Sequence, residues 1–134
     1  MKVLRFMSKE EATKLFFGER LVNNTDHSKS NNSMSKGFCF WIGDNPKDAF
    51  MYLCGIVSQD ICVVFDVDVK DSMYSFGTYA DIYSNDFFAT TRKKEICVSE
   101  YSISIFKPLC AYLPICEGLN FEKFSFETAC FLVM

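Results

Sequence analysis

The chain has 134 residues, the length of one domain over positions 1–134, and is 49% hydrophobic, 23% charged and rich in aromatics, with fifteen Phe. That composition excludes a disordered chain, and a net charge of −3 argues against a general nucleic-acid binder. The start, Met1-Lys2-Val3-Leu4-Arg5, lacks the apolar core of a signal peptide, and the most apolar C-terminal run is interrupted by Pro108, Pro114 and Glu117, so a cytoplasmic protein with no membrane span is expected.

Residues 2–7 read as a strand, after which Ser8 caps a helix. Ser8-Lys9-Glu10-Glu11 has the form of a capping box, in which the Ser8 hydroxyl and the Glu11 carboxylate each satisfy an orphan N–H. Leu15 and Phe16 give the helix its apolar side, and Gly18 ends it. Positions 23–36 are polar, rich in Ser and Asn, and read as a loop. A short aromatic strand over 37–42 follows, and then a second helix with Asn45 or Asp44 as its cap and Pro46 in its first turn. This helix carries Ala49, Phe50, Leu53 and Cys54 and stops at Gly55.

The clearest strand covers 60–69, where Ile61, Val63, Phe65, Val67 and Val69 share a face. A long loop containing Gly77 and Tyr79 leads to strands at about 94–99 and 101–106. The basic run Arg92-Lys93-Lys94 is short and reads as a solvated loop. The stretch 108–116, bounded by prolines, reads as irregular. From Lys123 the alternation of Phe124, Phe126, Thr128, Cys130 and Leu132 predicts a last strand. Helices early and consecutive strands late predict an α+β fold with a largely antiparallel sheet and two helices in its N-terminal half.

Seven cysteines lie at 39, 54, 62, 97, 110, 116 and 130, with irregular spacing and no C-x-x-C pair. Most sit in apolar runs, as Cys62 does in Ile61-Cys62-Val63-Val64, and read as buried thiols. No metal site is expected, because with His27 as the lone His a zinc site would need Cys ligands drawn from distant segments, and Asp66, Asp68 and Asp71 lack the spacing of a calcium loop. Neither a Walker A sequence nor a Gly-x-Gly-x-x-Gly fingerprint is present.

Three separated pieces fall into an order with a chemical meaning: Arg5 in the first strand, Gly37-Phe38-Cys39-Phe40-Trp41 before a helix bearing Ala49 and Tyr52, and Glu95 opening Glu95-Ile96-Cys97-Val98. This order resembles that of the ADP-ribosyltransferases of the diphtheria-toxin-like and poly(ADP-ribose)-polymerase-like branches. The resemblance implies a split sheet with an NAD cleft between its halves. NAD would be the substrate, and ADP-ribose would pass to a macromolecular acceptor or to water. It implies that Arg5 forks onto a phosphate or ribose and that Gly37 lets the backbone approach the nicotinamide amide. Phe38 and Phe40 would belong to the nicotinamide clamp. Cys39 stands where the family usually has Tyr, so Tyr52 or Tyr79 would supply the lost ring. The arginine-motif branch's Ser-Thr-Ser is absent. Glu95 would hold the ribose 2′-hydroxyl and stabilise the oxocarbenium character of the transition state, with Glu100 as its rival. The alternative expectation is a non-catalytic module, an inhibitor or regulator that binds a protein partner, built on a degenerate transferase fold or on none.

Overall fold

Strands β1 (Lys2–Met7) and β4 (Ile61–Asp66) are apolar on both faces, which suits them to the middle of a sheet covered from two sides. They pair antiparallel from Lys2 opposite Asp66 to Met7 opposite Ile61. The computed structural model describes residues 1–22, 38–53, 60–68, 95–98, 100–115 and 120–134, of which 51–53 and 95–97 are described in their backbone. The remaining elements are α1 (Lys9–Phe16), β2 (Leu21–Val22), β3 (Phe38–Ile42), α2 (Pro46–Leu53), β5 (Glu95–Val98), β6 (Glu100–Tyr101), β7 (Lys107–Pro114), β8 (Phe121–Phe124) and α3 (Phe126–Val133). The architecture is α+β: a six-stranded sheet in the order β5-β3-β1-β4-β7-β8, all of its pairs antiparallel, and a two-stranded ribbon of β2 and β6.

The two faces of the large sheet bury different things. One face carries Val3, Met7, Phe38, Phe40, Ile61, Val63 and Phe65, and packs under Ala12 and Leu15 of α1 and Ala129 and Cys130 of α3. Tyr101 and Phe106 close the same core. The opposite face carries Leu4, Phe6, Trp41, Cys62 and Val64 under Ala49 of α2, with Phe50 and Phe121 half-buried beside them.

Local chemistry fixes the helix ends. The Ser8 hydroxyl accepts from the Glu11 N–H at 3.2 Å, as the capping box requires. The Glu11 carboxylate does not reach back to the cap, because it is drawn to Arg5. Gly18, at φ +79°, takes the left-handed conformation just beyond α1. Asn45, rather than Asp44, caps α2, its Oδ1 accepting from the N–H groups of Lys47 and Asp48.

Three expectations are corrected. The alternating tail is a strand only over Phe121–Phe124, and then becomes α3. Its helical signal is Ser125, which accepts from the Thr128 N–H at 3.1 Å, followed by inward residues at Phe126, Ala129, Cys130 and Val133, the i, i+3, i+4, i+7 spacing. The stretch expected to be irregular is β7, paired with β4 and β8. Its prolines are tolerated because Pro108 sits at the register irregularity opposite Phe65 and Pro114 ends the strand. The strand expected over 101–106 is brief: β6 ends at Tyr101, and a turn closes with the Phe106 N–H donating to the Ser102 carbonyl. Cys54, Gly55, Val69, the 23–36 loop and the loop bearing Gly77 fall outside the described residues.

Candidate functional site

Arg5 alternates with Leu4 and Phe6, so β1 presents it to the α1–α3 side together with Val3 and Met7. A guanidinium in that core needs a carboxylate, and the first turn of α1 delivers one. Arg5 Nε donates to Glu11 Oε2 at 2.6 Å and Nη2 donates to Glu11 Oε1 at 3.0 Å, a two-pronged ion pair. Nη1 donates to the Cys39 carbonyl of β3 at 3.1 Å. The Tyr101 hydroxyl donates to Glu11 Oε2 from the far side. Phe38 and Phe40 flank the cation, their ring centroids 5.1 and 5.9 Å from its central carbon.

The electrostatics follow from this geometry. Burial alone would lower the Arg5 pKa, but the hydrogen-bonded, negatively charged Glu11 outweighs it and holds the guanidinium above its ordinary range. Burial raises the Tyr101 phenol well above its usual value, and the Glu11 charge raises it further against the opposing pull of Arg5. Arg5 is therefore a cation and Tyr101 a neutral donor at any physiological pH. Such a cluster can hold three elements together; its carboxylate accepts three hydrogen bonds from the chain's own donors.

Of the expected site residues, the structure brings together Arg5, Phe38 and Phe40. Phe40 is fully buried, stacked on Phe106 with centroids 4.5 Å apart and edge-on to Tyr101 at 4.9 Å. Phe38 lies edge-on to Tyr101 at 4.8 Å. The β3–β5 register sets Glu95 opposite Trp41, and Trp41 is opposite Leu4, which is opposite Val64. That row belongs to the α2 side of the sheet, whereas Arg5 is in the next row, opposite Val63, on the α1–α3 side. Arg5 and Glu95 thus occupy rows that alternate between faces. Glu100 is in the separate ribbon, opposite Val22, and its Oε2 lies 3.4 Å from Arg20 Nε. Tyr52 lies in the backbone of α2, on the other side of the sheet from Arg5; Gly37 and Tyr79 fall outside the described residues, as do His27 and Asp71.

Glu11, expected from the sequence only as part of the capping box, and Tyr101 are the residues of this cluster that the sequence did not assign to it. A signal was available: an Arg whose strand-face neighbours are Val3 and Met7 requires a buried carboxylate, and Glu11 stands at the start of the next helix. Among the described residues, a cleft of about 450 Å³ is lined by Asp44, Asn45, Lys47, Tyr112, Asn120 and Phe121 at the start of α2. Arg5, Phe38 and Phe40 do not line it. Among the described residues no group of three or more His, Cys, Asp or Glu is placed to hold a metal ion, and no helix is long and apolar enough to cross a membrane. No family model, curated protein or solved structure matches the chain.

Proposed function

We propose that this chain is a non-catalytic module that docks onto a protein partner through the end of the α1–α3 helix pair. The observation that carries the proposal is an uncovered aromatic cluster. Phe17 and Phe131 are 70% and 66% exposed and are joined through Phe16, whose ring centroid lies 5.4 Å from one and 5.6 Å from the other. Leu132 and Met134 extend the exposed apolar surface. Large rings held in a fixed arrangement by packed helices are the usual anchors of protein interfaces, because they lose little side-chain freedom on binding. In this reading the likeness to ADP-ribosyltransferases is that of a degenerate fold. Arg5, Phe38 and Phe40 serve the chain's own core, where the three elements β1, α1 and β3 meet.

Calorimetry with NAD, together with a nicotinamide-release assay, tests the non-catalytic half. No heat and no release at millimolar NAD is the expected result, and saturable binding overturns it. The docking half is tested by placing a photo-crosslinking residue at Glu127, beside the cluster, in cells that make the protein. A discrete protein adduct that disappears with Phe17→Ser/Phe131→Ser and persists with Glu122→Lys is expected. Adducts indifferent to the aromatic pair would remove the docking face.

A further inference from the structure

Cys39 of β3 and Cys97 of β5 are direct cross-strand partners in the antiparallel ladder. Directly opposed residues in such a ladder have Cα atoms about 4.5 Å apart in non-hydrogen-bonded pairs and about 5.5 Å apart in hydrogen-bonded ones. A disulfide needs a Cα separation of roughly 4.4–6.8 Å, within the range of both kinds of pair, and a Cβ separation of roughly 3.5–4.5 Å, which a non-hydrogen-bonded pair approaches most closely and a hydrogen-bonded one reaches by a local adjustment of the strand. We propose that Cys39 and Cys97 are a redox modification site, closing a reversible disulfide that ties the edge strand β5 to β3.

Several features of the fold bear on this pair. Among the described strands, β5 is the last in the sheet order, paired with β3. Cys39 is half-buried, in contrast to the buried Cys62 and Cys130. The backbone at Cys39 is anchored, since its carbonyl accepts from the half-buried Arg5 guanidinium. Tyr101, which donates to Glu11, follows Cys97 by four positions, so a link at Cys97 would fasten the segment that leads into the core cluster. Among the described residues, Cys62 and Cys110 are also near each other but offset in register, with Cys62 opposite Tyr112 and Val64 opposite Cys110, and Cys62 is shut inside the core.

The chemistry balances with a small-molecule disulfide such as oxidised glutathione as oxidant. The Cys39 thiolate attacks one sulfur of that disulfide and expels a thiolate, giving a mixed disulfide. The Cys97 thiolate then attacks the Cys39 sulfur and expels the second thiolate. Two cysteine thiols become one disulfide, one oxidant disulfide becomes two thiols, and the two protons released by the cysteines end on those thiols. The docking face has no part in this step.

The test is to equilibrate the intact protein with reduced and oxidised glutathione at several ratios, quench in acid with alkylation, and digest with trypsin and a glutamate-specific protease. Cleavage isolates Cys39 in the peptide 37–47 and Cys97 in the peptide 96–100, each with one cysteine. The expected product is a peptide pair joined through these two residues, in a chain lighter by about 2 Da. Oxidation should raise the melting temperature by several degrees, because the link closes a long loop of the unfolded chain. Cys39→Ser or Cys97→Ser should each erase that difference, and Cys62→Ala should retain it. A stable glutathione adduct on Cys39 without the linked pair would overturn the proposal. So would Cys62–Cys110 as the first disulfide to form.

Discussion

The two faces of the sheet solve the problem of covering a β-sheet in different ways. Among the described residues, the α1–α3 face is the more fully covered: two helices and the aromatic rings of Tyr101 and Phe106 pack on it, and the charge of its half-buried Arg5 is neutralised there by Glu11. The α2 face is covered, among the described elements, by α2, and its rim opens into the cleft beside Tyr112 and Phe121. Its ion pair, Lys2 with Asp44 at 3.5 Å, is exposed, and such pairs contribute little. The contrast shows why ligand-like residue types do not by themselves make a ligand site. An Arg between aromatic rings is a binding element when its donors are open to a ligand; here the donors of half-buried Arg5 are engaged by Glu11 and the Cys39 carbonyl.

The comparison can be broken at Glu11. Glu11→Ala leaves a mostly buried guanidinium without its partner and should cost about 2–4 kcal/mol in denaturant unfolding, whereas Asp44→Ala should change stability by less than about 1 kcal/mol. Equal effects would mean that water screens the Arg5–Glu11 pair as well as it screens Lys2–Asp44. Arg5→Met combined with Glu11→Leu should recover most of the loss, since a packed apolar pair needs no charge compensation. Next in size is the aromatic packing: Phe40→Ala should destabilise by about 3–5 kcal/mol through the cavity left against Phe106 and Tyr101, and half-buried Phe50→Ala on the other face by clearly less.

Tyr101→Phe sharpens the same contrast at atomic scale. It removes one donor to Glu11 while keeping the ring, and should cost about 1.5–3 kcal/mol, the range for hydrogen bonds to charged groups. Smaller still is the cap of α2: Asn45→Ala should cost about 1 kcal/mol, measured by the same unfolding curves.

The smallest effect is a pH dependence of the α1–α3 face. Burial raises the Cys130 thiol to about 11 from an ordinary 9.0. The folded state therefore holds this proton more tightly than the unfolded state does. Its contribution is fully present below about pH 9 and is lost as pH rises from there through 11. Cys130→Ala should flatten that part of the stability profile relative to the wild type; an unchanged slope would show that Cys130 is hydrated.

The sequence by itself determined the local elements whose causes are local. The Ser8 cap, the turn at Gly18, the entry into α2 at Asn45-Pro46 and the apolar run of β4 are all written in neighbouring residues, and each stands where it was expected. The α+β class followed from their order. α3 was misread although its signal was equally local, because Phe124 to Leu132 fits both a two-residue and a helical period, and the deciding feature was the Ser125 cap. β7 was misread because its prolines look like breaks until the bulge opposite Phe65 and the strand end are known. The candidate site was legible only as residue types in chain order. Which carboxylate meets Arg5, and which face of the sheet carries Glu95, depend on strand register and on where α1 crosses the sheet. Those are long-range facts: a shift of one residue in pairing moves every side chain to the other face, and nothing within a few residues of Arg5 or Glu95 fixes that shift. The tertiary structure alone decided that Arg5 lies on the α1–α3 face and finds Glu11, Tyr101 and the Cys39 carbonyl there.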